Sequence, residues 1–312
     1  MKNTKLYKVI ETEAGIRLDR FVRNLIPGAQ QSIIEKLLRK SEIKVNGKKA
    51  KSSYRILEGD EISLPDIKPG EELPPTPKLP NPKLAQLINN CVIYEDEELM
   101  VINKPAGIPV QGGNKVKDNI DSILEYLRPE LPEKPRLVHR IDKDTSGILL
   151  IAKTKTAAQW LTSGFKQKLF TKTYHAIVIG KPPAKQGTIK ATIEKRPGKL
   201  GEKMEIIEDN QLDMAITKYT LLDYNKGVSF IEFNPITGRT HQIRVHSVHI
   251  GCPILGDGKY GGKAAHPNNQ RFQLHLNASA IEIVFPDGHR KKFTVKLPEY
   301  FTHSMKIFNL QK

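Results

Sequence analysis

The chain has 312 residues, with 50 Lys and Arg against 34 Asp and Glu and a formal net charge of +16. Hydrophobic residues make up 38% and charged residues 27%, which excludes an intrinsically disordered chain, and no uncharged apolar run approaches the ~20 residues that cross a bilayer. Two cysteines, Cys91 and Cys252, exclude a disulfide framework; the opening MKNTKLYKVIETE lacks the apolar core of a secretory signal, so the expected setting is a reducing cytoplasm with no membrane partner.

The length predicts two domains. Residues 1–65 hold 14 Lys and Arg against 8 Asp and Glu. Ile16, Leu18, Phe21, Val22 and Leu25 follow helical spacing. A second helix is expected from Ser32, where Ser32 and Glu35 have capping-box spacing, with Ile33, Ile34, Leu37 and Leu38 as its apolar stripe. In IKVNGKKAK, Asn46-Gly47 predicts a tight turn between two short strands. LEGDEISL adds a turn and a strand. Seven prolines then fall between Pro65 and Pro82. Proline lacks an amide donor and fixes its own φ, so 66–88 is expected to be an extended linker. Residues 89–312 carry β-type runs (LMVINK, GILLIAK, HAIVIG, VSFIEF, IEIVF) and a helix over Thr156–Lys168. These strands do not alternate regularly with helices. The expected fold is therefore α+β, a small unit linked to a mixed, largely antiparallel sheet.

Charge of this size favours a polyanionic partner, but charge alone does not separate RNA, DNA and an anionic membrane. Four stretches could carry chemistry. In LVHRIDKDTSG, Asp142 and Asp144 fit a carboxylate dyad, a metal site, or one active acid beside one turn-forming acid. For Asp144 the expected role is a turn carboxylate bonded to a local amide. TGRTHQIRVH and His249 invite a metal, but His241 and His246 fall about 140° apart on a helix. No Cys/His pair or HExxH supports zinc, so no metal is expected. Gly238 and Gly251 read as turn and helix-end positions. In KTY, Tyr174 is a core aromatic or a stacking platform for a base. NKPAG is uninformative on spacing alone. No P-loop, GxGxxG after a strand, or GxSxG elbow occurs, which disfavours ATP, nicotinamide and α/β-hydrolase chemistry.

The order RLDRFV…SIIEKLLRKSEIKVNGKKAK resembles the S4 RNA-binding domain, which implies an RNA-facing surface of Arg39, Lys40, Lys44, Lys48, Lys49 and Lys51. HRIDKDTSG resembles the HRLDxxTSG signature of RluA-type pseudouridine synthases, and INKPAG, KTYHAIV and TGRTHQIRVH resemble further motifs of that family in its order. This resemblance implies isomerisation of uridine to pseudouridine in RNA, without metal or cofactor. It implies Asp142 as the catalytic acid, Arg239 as its guanidinium partner at hydrogen-bond distance, and Tyr174 stacked on the uracil and assisting proton removal from C5. It also implies Ile243 packed under the base and Arg140 entering the position vacated by a flipped nucleotide. An S4 domain ahead of this unit implies 23S ribosomal RNA or its large-subunit precursor as partner, and a monomer. The competing expectations are a large-subunit enzyme with other target uridines and a non-catalytic RNA-binding or assembly protein.

Overall fold

The apolar stripes of two short helices close the first core. Helix α1 (Leu18–Leu25) buries Leu18, Phe21 and Val22, and α2 (Gln31–Arg39) contributes Ile34 and Leu38. They pack with a four-stranded sheet of β1 (Thr4–Lys8), β4 (Glu61–Pro65), β2 (Lys44–Val45) and β3 (Lys48–Lys49), in that spatial order. The β2–β3 turn has φ of 49° at Asn46 and 74° at Gly47, the two positive values of a type I′ hairpin. The structure, a computed structural model, describes residues 4–26, 31–65, 81–112, 118–198, 201–207 and 214–311. The expected cap at Ser32 lies outside the described side chains, and α2 starts one residue before it.

The chain divides into two compact units between residues 78 and 79. Of the expected 66–88 linker, 66–80 lies outside the described residues. Its end is corrected: Pro82–Asn89 is helix α3. Pro82 sits at the first helical position, where no amide partner is needed, and Asn81 Oδ1 accepts from the Leu84 amide at 3.3 Å. Leu84 and Ile88 are buried in the core of the second unit.

That unit is built on an 11-stranded sheet. Its main path runs through β11 (Gly201–Ile207), β10 (Gln186–Gly198), β12 (Met214–Asn225), β13 (Val228–Pro235) and β9 (Thr171–Ile179). It continues through β14 (Leu276–Val284), β8 (Ser146–Ala152), β6 (Leu99–Lys104) and β5 (Val92–Glu95), while β7 (Arg136–Leu137) pairs with β8 and β15 (Arg290–Thr294) with β14. Among the described residues every pairing is antiparallel except β14 with β8. Strand β8 is buried on both faces, which explains its unbroken apolar sequence. Leu149 and Ile151 pack toward α3 and α4 (Ile120–Leu127). Ile148, Leu150 and Ala152 pack toward α5 (Lys155–Lys166).

One cross-strand row sets the site. Lys104, Gly147, Ala278, Tyr174 and Phe233 are successive register partners through β6, β8, β14, β9 and β13. At Gly147, with φ of 110°, an added Cβ would lie 2.3 Å from the Ala278 carbonyl oxygen, so only glycine permits this approach.

Candidate active site

Asp142 lies in the loop that enters β8, with its side chain 17% exposed. A cavity of about 740 Å³ opens against it, lined by Tyr174, Ile243 and Leu276 and by the basic residues Arg140, Lys172, Arg239 and Arg244. A second cavity of about 580 Å³ shares Asp142, His241 and Arg244 with it and is also lined by Lys143 and Asp144.

The guanidinium facing Asp142 is a correction to expectation: it belongs to Arg244, whose Nη1 is 3.7 Å from Oδ2. Arg239 lines the cavity but is exposed, in the segment ahead of α6 (Gln242–His249). The chain turns sharply between them, at His241, whose φ is 55°. Arg244 then enters the protein from the first turn of α6. Asp257 clasps it there, accepting from Nε at 2.8 Å and Nη2 at 2.7 Å. The Asp257 side chain is fully buried and also accepts the Lys259 and Tyr260 amides. The Tyr260 ring lies 5.0 Å from the Arg244 guanidinium carbon. Burial opposes the charge on Arg244, yet Asp257 and Asp142 outweigh it and hold the guanidinium above its usual range. At the far end of α6, the Gly251 amide donates to Val248 and the Cys252 amide to Ser247, so Gly251, with φ of 74°, is the expected helix-end glycine.

His241 Nε2 stands 3.9 Å from Asp142 Oδ1. Its Nδ1 is 2.6 Å from the Tyr260 hydroxyl, which accepts the Met204 amide at 3.3 Å. Burial pushes His241 down, with Asp142 opposing and Arg244 reinforcing. Tyr174 projects from β9, and its hydroxyl makes no hydrogen bond among the described residues. Burial, then the charge of Asp142, pushes this phenol far up. Ile243 is buried in the first turn of α6 and Arg140 is exposed on the cavity wall.

Asp144 is exposed in the turn after Asp142, and its carboxylate accepts no hydrogen bond among the described residues, so the expected local amide bond is not formed. Its charge, with that of Asp142, acts on Lys104. Lys104 is fully buried and donates to the carbonyls of Pro105, Ile108 and Lys143, each at 2.9 Å. Burial pushes its ammonium down to about 7 against those two carboxylates. The NKPAG segment thus staples the backbone beside Asp142. A lysine closing an apolar strand was the available sign. His139 accepts the Leu150 amide at Nε2 and stacks on Phe165; burial and the charge of Lys172 push it down to about 3. No three His, Cys, Asp or Glu side chains gather as metal ligands among the described residues. In the first unit, Arg39, Lys40, Lys44, Lys48, Lys49 and Lys51 are all exposed.

A small basic α+β module and a carboxylate set against a cation-lined cavity fit an enzyme that acts on a polyanion. Family models support both parts: RNA pseudouridylate synthase matches residues 98–249 and the S4 domain matches 16–62. Ribosomal large subunit pseudouridine synthase C of Rickettsia bellii is 42% identical over 94% of this chain and 98% of its own length. The protein of that name from Vibrio cholerae is 36% identical over 90% and 89%. Among solved structures, human RNA pseudouridylate synthase domain containing 4 has a TM-score of 0.61 at 29% identity, over 74% of this chain and 97% of its own. The chain belongs to the RluA-type pseudouridine synthases and carries an S4 domain. Among the described residues, no helix is long and apolar enough to cross a membrane.

Proposed function

We propose that this protein isomerises uridines of 23S ribosomal RNA, or its large-subunit precursor, to pseudouridine. The ribosomal large subunit is the target that the names of its relatives specify. The observation that carries the reading is Asp142, partly accessible, placed between Tyr174 and the Arg244–His241 pair.

The reaction breaks the bond from C1′ to N1, turns the uracil, joins C1′ to C5, moves the C5 proton away and leaves a proton on N1. Atoms balance without a co-reactant. Asp142 serves as nucleophile toward the nucleoside or as base toward the sugar. Arg244 supplies its counter-charge. At 3.7 Å and 3.9 Å the Arg244 and His241 nitrogens are near but not locked onto the carboxylate, which keeps its oxygens available. A base stacked in RNA cannot reach this depth, so the nucleotide flips out. Tyr174 and Ile243 hold the uracil, and Arg140 fills the vacated position. Arg239 on the exposed wall meets the RNA rather than Asp142.

In this reading the S4 unit docks structured RNA through Arg39, Lys40, Lys44, Lys48, Lys49 and Lys51, and the proline-rich stretch tethers it. In this reading the protein is a cytoplasmic monomer, as the family resemblance implies.

The test is Asp142→Asn. Pseudouridine formation on a 23S transcript should fall by on the order of 10³-fold or more, with RNA affinity kept. Retained turnover overturns the assignment. Mapping pseudouridine in ribosomal RNA from cells with and without the protein identifies the uridines; an unchanged map leaves an RNA-binding or assembly protein.

A further inference from the structure

The cavity wall carries an ammonium that the protein itself only partly satisfies. Lys172 and Tyr174 stand two residues apart on β9, so both side chains share one face of the strand, and both line the cavity. Lys172 Nζ donates to the Thr237 carbonyl at 3.1 Å and forms no other hydrogen bond or ion pair among the described residues. An ammonium has three donors; two here are open toward the cavity. The side chain is nonetheless half-buried, and burial pushes it down to about 8. A half-buried ammonium with donors turned to a cavity is placed to meet a ligand there.

The surroundings indicate what. Arg140, Lys166, Lys168 and Arg239 line the same cavity, and Asp142 is the single carboxylate among its described lining residues. Such a wall suits a polyanion. The two-residue step along β9 is about 6.6 Å, which sets the ammonium beside a base held against Tyr174. The ion-pair partners of Asp142 among the described residues are His241 and Arg244, while Lys172 bonds the Thr237 carbonyl.

Resting on the reading that this cavity holds a flipped uridine, we propose that Lys172 binds a phosphate diester flanking the flipped nucleotide. It seats the backbone of that nucleotide while Tyr174 and Ile243 hold its base.

The experiment uses the full chain and an RNA in which the wild type forms pseudouridine; if no such RNA exists, the proposed function fails rather than this inference. Lys172→Met should lower kcat/KM by roughly tenfold to hundredfold. It should also reduce the slope of log affinity against log salt by about 0.7. Lys172→Arg should restore both. The wild type should decline as pH rises through about 8, the value to which burial pushes Lys172, and Lys172→Arg should not. The other titrating groups around Lys172 (His139 and Arg140 ahead of β8, Lys166 and Lys168 ahead of β9, Tyr174 on β9, Asp142, Arg239, His241 and Arg244) remain in both proteins, so the difference reports Lys172. Neutral methylphosphonate linkages are then placed one at a time on either side of the target uridine. At one of them the loss should equal that of Lys172→Met and should not add to it. Additive losses at both linkages place Lys172 elsewhere on the RNA and overturn the proposal. So does Lys172→Met with wild-type kinetics, or Lys172→Arg as impaired as Lys172→Met. If Lys172→Met does not fold, the pH profiles of wild type and Lys172→Arg still decide.

Discussion

Lys104 and Lys172 are both drawn out of water in the catalytic unit, yet their donors are used differently. Behind Asp142, Lys104 gives its three hydrogens to three carbonyls, and Asp257 takes two from Arg244. On the cavity wall, Lys172 gives one and the Tyr174 hydroxyl none among the described residues. Buried polar groups in a finished framework are matched. Those left open to a cavity are available to a ligand or to water. The contrast separates residues that hold Asp142 in place from residues whose donors are left open to the cavity beside it.

Loss of either cation should therefore have different consequences. Lys104→Met strips three carbonyls of their donor and should cost about 3–5 kcal/mol of stability, read by urea unfolding; Lys172→Met should cost under about 1 kcal/mol. Equal losses erase the distinction. Next comes the arginine pair. Arg244→Gln leaves Asp257 buried without its partner, should destabilise by about 3 kcal/mol and should slow turnover by on the order of 10²-fold. Arg239→Gln should change stability by under about 0.5 kcal/mol and act through KM. Reversal of this order returns the counter-ion role to Arg239.

A pH scan tests the closed region further. His246 is fully buried, with Nδ1 2.9 Å from the Thr217 hydroxyl, and burial and then His249 push it down to about 4. The unfolded chain binds this proton near pH 6.5 and the folded chain does not. Stability is thus present above 6.5 and lost as pH falls toward 4, by at most about 3 kcal/mol. His246→Gln should flatten that part of the profile, and an unaltered profile excludes His246. The smallest effect belongs to the first unit. Changing Lys44, Lys48 or Lys49 to Gln should each lower the salt slope of RNA binding by about 0.9 or less and leave kcat alone.

Much of this arrangement was legible in the chain. The α1 and α2 stripes, the Asn46-Gly47 turn, the apolar runs of β6 and β8 and the cavity positions of Asp142, Tyr174 and Ile243 all follow from local pattern or motif. What escaped depends on long-range placement. Arg239 and Arg244 share one motif, and only the backbone reversal at His241 decides which of them turns inward. Asp257 and Tyr260, which orient Arg244 and His241, belong to no motif that was singled out. Strands β10–β12 are rich in charge, as in KATIEKRPGK, and their alternation was too diluted to read. Pro82 opens helix α3 instead of prolonging the linker, because a helix accepts proline at its first position.

Gly147 has a consequence for the reaction although it carries no reagent. Ala278 is the shared neighbour of Gly147 and Tyr174 in the sheet, so the missing methyl acts as a gauge block between the strand that delivers the acid and the strand that presents the aromatic ring. Alanine there would wedge the two apart, and a machine whose reagents were all intact would lose its tolerance.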